Sequence, residues 1–208
     1  MADISLALSK VHSDWLSFLP DTFLAVSKVI ESLPDECAPN IEDLLNVFQM
    51  PPSEVRVVIV GQDPYPNLGD AIGYAFATLN TNKTPKSLQN IFKEIANEFG
   101  EVHTDNTLRS WIEQGVFLLN RNLSTAPGKS LAHANIGWQS ITEDVVKLLG
   151  KNESVVALLM GKEAATLQSN FAKSVVTSHP SPISAYRGFF GSGVFKQVNL
   201  MLEKPIKW

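Results

Sequence analysis

The sequence predicts an α/β fold: a short central parallel β-sheet of about four strands, flanked by helices. Three observations carry this reading. Four brief runs almost free of charge lie at residues 55–60, 116–119, 155–160 and 174–177, the first of them β-branched and almost wholly apolar. Runs of that length suit strands buried on both faces. The segments between them carry apolar residues at helical spacing, and the connections are long enough for crossovers, as parallel strands require.

In residues 1–50, Leu6, Val11, Trp15, Leu16, Leu19, Phe23, Val26, Ile30 and Leu33 recur at helical spacing, interrupted by Pro20 and Pro34. This predicts a helical N-terminal region. After the first strand, residues 87–99 place Leu88, Ile91, Phe92, Ile95 and Phe99 on one helical face. Residues 108–112 form a shorter candidate before the second strand. Residues 138–149 and 163–171 are the expected helices before and after the third. No Pro/Gly/Ser linker divides the chain, so residues 1–208 read as a single domain.

Composition sets limits on function. With 44% hydrophobic and 18% charged residues the chain is an ordinary globular sequence, which excludes wholesale disorder. The single cysteine, Cys37, cannot form an internal disulfide, and it excludes a Cys-ligated zinc or iron–sulfur site. No cofactor and no metal are expected. The first residues have neither a basic start nor a long apolar run, so no secretory signal is read. The run at 155–160 is too short to span a bilayer. The expectation is a monomeric cytoplasmic protein (nuclear in a eukaryotic host) with no membrane association.

Net charge is −4, which alone speaks against a nucleic-acid partner. The average hides an asymmetry. Residues 1–119 hold 7 Lys/Arg against 16 Asp/Glu, net −9, whereas residues 120–208 hold 10 against 5, net +5. Such a split marks either a face for a polyanion or a dipolar solvated surface.

In open parallel sheets, ligands bind beyond the carboxyl ends of the strands. Each expected strand here runs into an unusual segment. Val60 precedes Gly61-Gln62-Asp63-Pro64-Tyr65-Pro66; Leu119 precedes Asn120; Met160 precedes Gly161-Lys162; Thr177 precedes Ser178-His179-Pro180-Ser181-Pro182-Ile183-Ser184. A carboxylate, a carboxamide and an imidazole should gather at one sheet edge, as in an active site. Each piece also has an ordinary alternative. Asp-Pro-Tyr-Pro is also turn chemistry, Asn is also a helix cap, a lone His is often structural, and Ser-Pro-Ile-Ser also suits a surface loop.

At these residues the sequence resembles the family 1 uracil-DNA glycosylases, over roughly residues 55–208 and more weakly in the N-terminal helices. Gly61-Gln62-Asp63-Pro64-Tyr65 is similar to the family's water-activating loop. His179-Pro180-Ser181-Pro182-Ile183-Ser184, continuing into Arg187-Gly188-Phe189-Phe190-Gly191, resembles its minor-groove loop. Leu118-Leu119-Asn120 resembles the uracil-recognition strand end, and Gly73-Tyr74-Ala75-Phe76 the segment with the base-stacking phenylalanine. Residues 133–138 and the closing Lys204-Pro205-Ile206-Lys207-Trp208 fit as well. With a single cysteine, the chain stands apart from the iron–sulfur branches of the superfamily.

The resemblance implies a metal-free hydrolase that flips deoxyuridine out of DNA, cleaves its N-glycosidic bond and leaves an abasic site, the first step of base excision repair. It implies that Asp63 positions water and stabilises the cationic sugar, and that His179 donates a hydrogen bond to the departing uracil. Asn120 would pair with the uracil edge and reject cytosine, Phe76 would stack on the base, Tyr65 would exclude the thymine methyl, and the backbone at Gln62 would complete the pocket. Lys86 and Ser87, in a proline-bearing loop ahead of a helix, would meet DNA, as would Gly161, Lys162, Ser181, Ser184 and Arg187. Ile183 would fill the gap left by the flipped base. The implied partners are uracil-containing DNA, single- or double-stranded, and a proteinaceous inhibitor at the DNA face.

Four departures from the family pattern stand out. Pro66 replaces a histidine, Lys162 a serine and Ile183 a leucine, and Ala126-Pro127-Gly128-Lys129 differs from an arginine-containing stretch. A catalytically weak DNA-binding relative, such as a polymerase accessory subunit, is the competing reading. The intact Asp63 and His179 favour the enzyme.

Overall fold

The structure is a computed structural model, and it describes residues 4–80, 83–101 and 103–208. Its centre is a four-stranded, wholly parallel sheet: β1 (Val57–Gly61), β2 (Val116–Asn120), β3 (Val156–Met160) and β4 (Lys173–Thr177), in spatial order β2-β1-β3-β4. Helices α1 (Ile4–Ser9), α2 (Ser13–Phe18) and α3 (Pro20–Glu31) precede β1. Helices α4 (Lys86–Phe99) and α5 (Arg109–Ile112) connect β1 to β2, and α6 (Trp138–Gly150) connects β2 to β3. The single turn α7 (Lys162–Ala165) comes after β3, and α8 (Val194–Met201) after β4.

The strands are apolar on both faces because both are covered. Side chains alternate across a strand. Val58, Val60, Phe117, Leu119, Ala157 and Leu159 face one core with α1–α3 and α6. Val57, Ile59, Val116, Leu118, Val156 and Leu158 face a second core with α4, α5 and α8. Each fully buried aliphatic or aromatic side chain contributes roughly 1.5–3 kcal/mol. Trp15 anchors the N-terminal layer: its ring lies 5.4 Å from both Phe48 and Phe117, and its indole N–H donates to the Met50 carbonyl at 2.7 Å.

The structure corrects several boundaries. The N-terminal region is α-helical only to Glu31; beyond it come three short 3-10 turns, Ile41–Asp43, Asn46–Gln49 and Pro52–Glu54. Pro20 opens α3 rather than interrupting a helix, since the first helical position needs no N–H donor. Leu6 and Leu16 point to solvent, while Ala7 and Trp15 take the core positions. The first strand begins at Val57, because Val55 closes a 3-10 turn. The helix expected at 163–171 is one turn plus a 3-10 turn at Gln168–Asn170. Helix α8 has no counterpart in the sequence reading.

Candidate active site

The carboxyl ends of β1, β2 and β4 meet the segment 71–76 around one cavity of about 200 Å³. Gln62, Asp63, Tyr65, Phe76, Ser87, Asn120 and His179 all line it, with Leu131 from the loop after β2. The volume lies below the roughly 300–1,000 Å³ of pockets that hold drug-sized ligands and suits a single-ring base.

Two glycines make this convergence possible. Gly61 and Asn120 are register partners in the parallel pair β1/β2. A Cβ on Gly61 would stand 2.4 Å from Asn120 Oδ1, so only glycine lets the carboxamide lie across the strand end. At the end of β3, Gly161 has φ of +100°, and a Cβ there would stand 3.0 Å from the His179 Cβ.

Asp63 sits on one wall. Its Oδ2 accepts the Leu131 amide at 2.6 Å, and its Oδ1 is buried with no hydrogen-bond partner among the described residues. Burial raises its pKa from 3.8 to about 6, opposed by the Leu131 amide and by the side chains of Thr125 and Asn122. Asp63 lines the cavity, and an ionised carboxylate is an acceptor only, so it can take a hydrogen bond from water held there.

His179 sits on another wall. Its Nδ1 accepts the Ser181 amide at 3.0 Å, and burial lowers its pKa. Both effects favour a neutral imidazole whose remaining nitrogen, Nε2, carries the proton and can donate. The ring lies 5.9 Å from Phe76 at 41°. Phe76 has φ of +65°, a costly conformation for an aromatic residue, and its carbonyl accepts the Tyr65 hydroxyl at 2.8 Å. That bond fixes the Tyr65 ring against the pocket, where burial keeps the phenol neutral.

The residues expected to meet DNA divide into groups. Ser87 lines the cavity from the first turn of α4, and Lys86 beside it is exposed. Gly161, Lys162, Ser184 and Arg187 line a second cavity of about 410 Å³ that shares His179 with the first. Ser181 and Ser184 are joined hydroxyl to hydroxyl at 2.7 Å, and Ser184 Oγ donates to the His179 carbonyl at 2.8 Å. Ile183 is 82% exposed and lines neither cavity.

The sequence reading missed Leu131, since nothing in its residue type marks a site. It also missed the function of the segment 133–138. There the Trp138 indole N–H donates to Ser124 Oγ at 2.7 Å, and Ser124 Oγ meets His133 Nδ1 at 2.9 Å. This buried network pins the loop that delivers the Leu131 amide to Asp63.

Comparison with known proteins places this geometry. The family model described as "Uracil DNA glycosylase superfamily" matches residues 48–203. Among curated proteins, the uracil-DNA glycosylase of Mycolicibacterium smegmatis is 38% identical, covering 95% of each chain. That of Corynebacterium efficiens is 42% identical over 80% of this chain and 74% of its own. Among solved structures, mimivirus uracil-DNA glycosylase superposes with a TM-score of 0.85 at 26% identity, covering 97% of this chain and 88% of that one. A variant of the mimivirus enzyme, in complex with UGI, matches with a TM-score of 0.83. On sequence and on fold alike, the chain belongs to the uracil-DNA glycosylase superfamily.

Proposed function

We propose that this chain is a monofunctional uracil-DNA glycosylase that starts base excision repair. The observation that carries the reading is one base-sized cavity with the Asp63 carboxylate, held by the Leu131 amide, on one wall and a neutral, donating histidine on another.

The chemistry is set by charge. As the bond from C1′ to N1 breaks, its electron pair leaves with uracil and the sugar becomes oxocarbenium-like. Asp63 stabilises the cationic sugar and accepts a proton from the water whose oxygen bonds C1′. His179 Nε2–H donates to the uracil oxygen on which negative charge grows. Asn120 pairs with the base edge, Phe76 stacks on the ring and Tyr65 closes the pocket where thymine would place its methyl group. The histidine that the family carries at position 66 is a proline here, which removes a polar group beside the catalytic loop and stiffens it.

Lys86, Ser87, Gly161, Lys162, Ser181, Ser184 and Arg187 grip the phosphates on either side of the extruded nucleotide, and Ile183 enters the stack in its place. The same face would receive a protein inhibitor, a reading supported by the UGI complexes of the mimivirus relative. We place the chain as a monomer where the cell keeps its DNA.

The test is direct. A uracil-containing oligonucleotide, single-stranded or paired with guanine, is incubated with the protein and then treated with alkali. Strand breaks at the uracil position are expected. A folded chain that binds the oligonucleotide and yields no breaks would sink the enzyme and favour the accessory-subunit reading.

A further inference from the structure

Leu131 holds a left-handed backbone conformation, with φ of +61°. Leucine is costly there because its Cβ crowds the following carbonyl; glycine, and in part asparagine, adopts it freely. Core packing does not offset the cost, since the residue is 43% exposed. The loop around it is firmly tied. Thr125 Oγ1 donates to the Lys129 carbonyl at 2.6 Å, and the Gly128 amide donates to the Pro66 carbonyl at 2.8 Å. This conformation aims the Leu131 amide at Asp63 and sets the residue on the cavity wall. The amide alone does not explain leucine, because glycine would supply the same N–H without strain.

We infer that the Leu131 side chain is an apolar contact for the extruded nucleotide, lying against its deoxyribose on the Asp63 side of the cavity and keeping bulk water from that wall. This rests on the glycosylase reading above. The base already has Asn120, Phe76 and Tyr65 as partners, whereas the carboxylate wall, where the sugar must stand for Asp63 to act, has Leu131 as its exposed apolar neighbour. Ile183 does not duplicate this role, for it belongs to the loop after β4 and lies outside the cavity lining.

The test compares Leu131→Gly, Leu131→Asn and Leu131→Met. The first two keep the amide on Asp63 and suit the backbone, so Tm should equal or exceed that of the parent. Their kcat/KM on a uracil oligonucleotide should fall at least tenfold, mainly in kcat. Inhibition by free uracil, which has no sugar, should be unchanged. Leu131→Met should keep most of the activity. Activity within twofold of the parent in the Gly and Asn variants would overturn the inference. So would a lowered Tm, or a loss of uracil inhibition parallel to the loss of activity, either of which would mark a purely structural role. The parent protein is the control for the underlying reading: if it releases no uracil, that reading has failed, and if only the variants behave as the parent does, this inference alone has failed.

Discussion

Asp63 pairs one oxygen with the Leu131 amide and leaves the other buried without a partner among the described residues. Only the ionised carboxylate can accept a water proton, so the acid limb of kcat/KM should fall near pH 6 rather than near 4. Asp63→Asn should lower kcat by about 10²–10⁴-fold while uncleaved DNA still binds; turnover near the parent level would refute the assignment. The stability consequence has a definite sign. Unfolded, the carboxyl titrates near 3.8; folded, at about 6. The unfolded chain therefore ionises first as pH rises, and the parent loses stability relative to Asp63→Asn between about pH 4 and 6. At pH 8 the variant should melt about 2–4 °C higher, allowing about 1 kcal/mol after discounting for partial exposure, and the gap should close at pH 4. Much of this site was legible from residues, because Asp63, Asn120 and His179 directly follow or end apolar strands. The tautomer of His179 was not, since the Ser181 amide fixes it. Leu131 was not, since its significance is a φ angle.

At the scale of elements, the helix α4 governs the loop after β4. Asn90, Glu94 and Glu98 stand at successive i, i+4 positions along it. Asn90 Nδ2 donates to the Pro180 carbonyl at 2.8 Å; the Glu94 carboxylate accepts the Gly191 and Gly193 amides at 2.8 and 3.1 Å; Glu98 accepts the Phe195 and Lys196 amides at 3.2 and 2.6 Å. One stripe thus holds both ends of the segment with Ser181, Ile183, Ser184 and Arg187, and the start of α8. Glu94 is fully buried, so Glu94→Gln, which turns one acceptor into a donor facing an amide, should cost about 1–3 kcal/mol in denaturant unfolding. Asn90→Ala, which frees the carbonyl beside His179, should lower kcat more than it raises KM. Unchanged stability in the first and unchanged kcat in the second would contradict this. The strands and α4 were legible because their periodicity is strong. Helix α7 was overestimated and α8 overlooked because their extents depend on tertiary partners: α8 starts where Glu98 receives its first amides, which no local pattern announces.

For the whole molecule, the −9 and +5 halves of the sequence bear on DNA through position rather than sum. Lys162 and Arg187 from the basic half line the cavity that adjoins His179, and Lys86 of the acidic half opens α4 at the edge of the base cavity. Glu94 and Glu98 are spent on backbone amides behind the loop. With Lys86, Lys162 and Arg187 as the cations placed at the two cavities, the salt response should be modest in slope but clear in sign. Each neutralised phosphate contributes about −0.9 to the slope of log Kobs against log salt on duplex DNA, and about −0.7 on a single strand. With Lys86, Lys162 and Arg187 engaged, the duplex slope for uncleavable DNA should be about −3. Lys162→Ser should reduce its magnitude by about one and leave the single-turnover cleavage rate of bound DNA unchanged, because Lys162 does not line the base cavity. Titrations from low to high salt with both proteins decide the matter: an unaltered slope would place Lys162 off the phosphate path, and a slope near zero in the parent would mean that the basic half does not face the DNA.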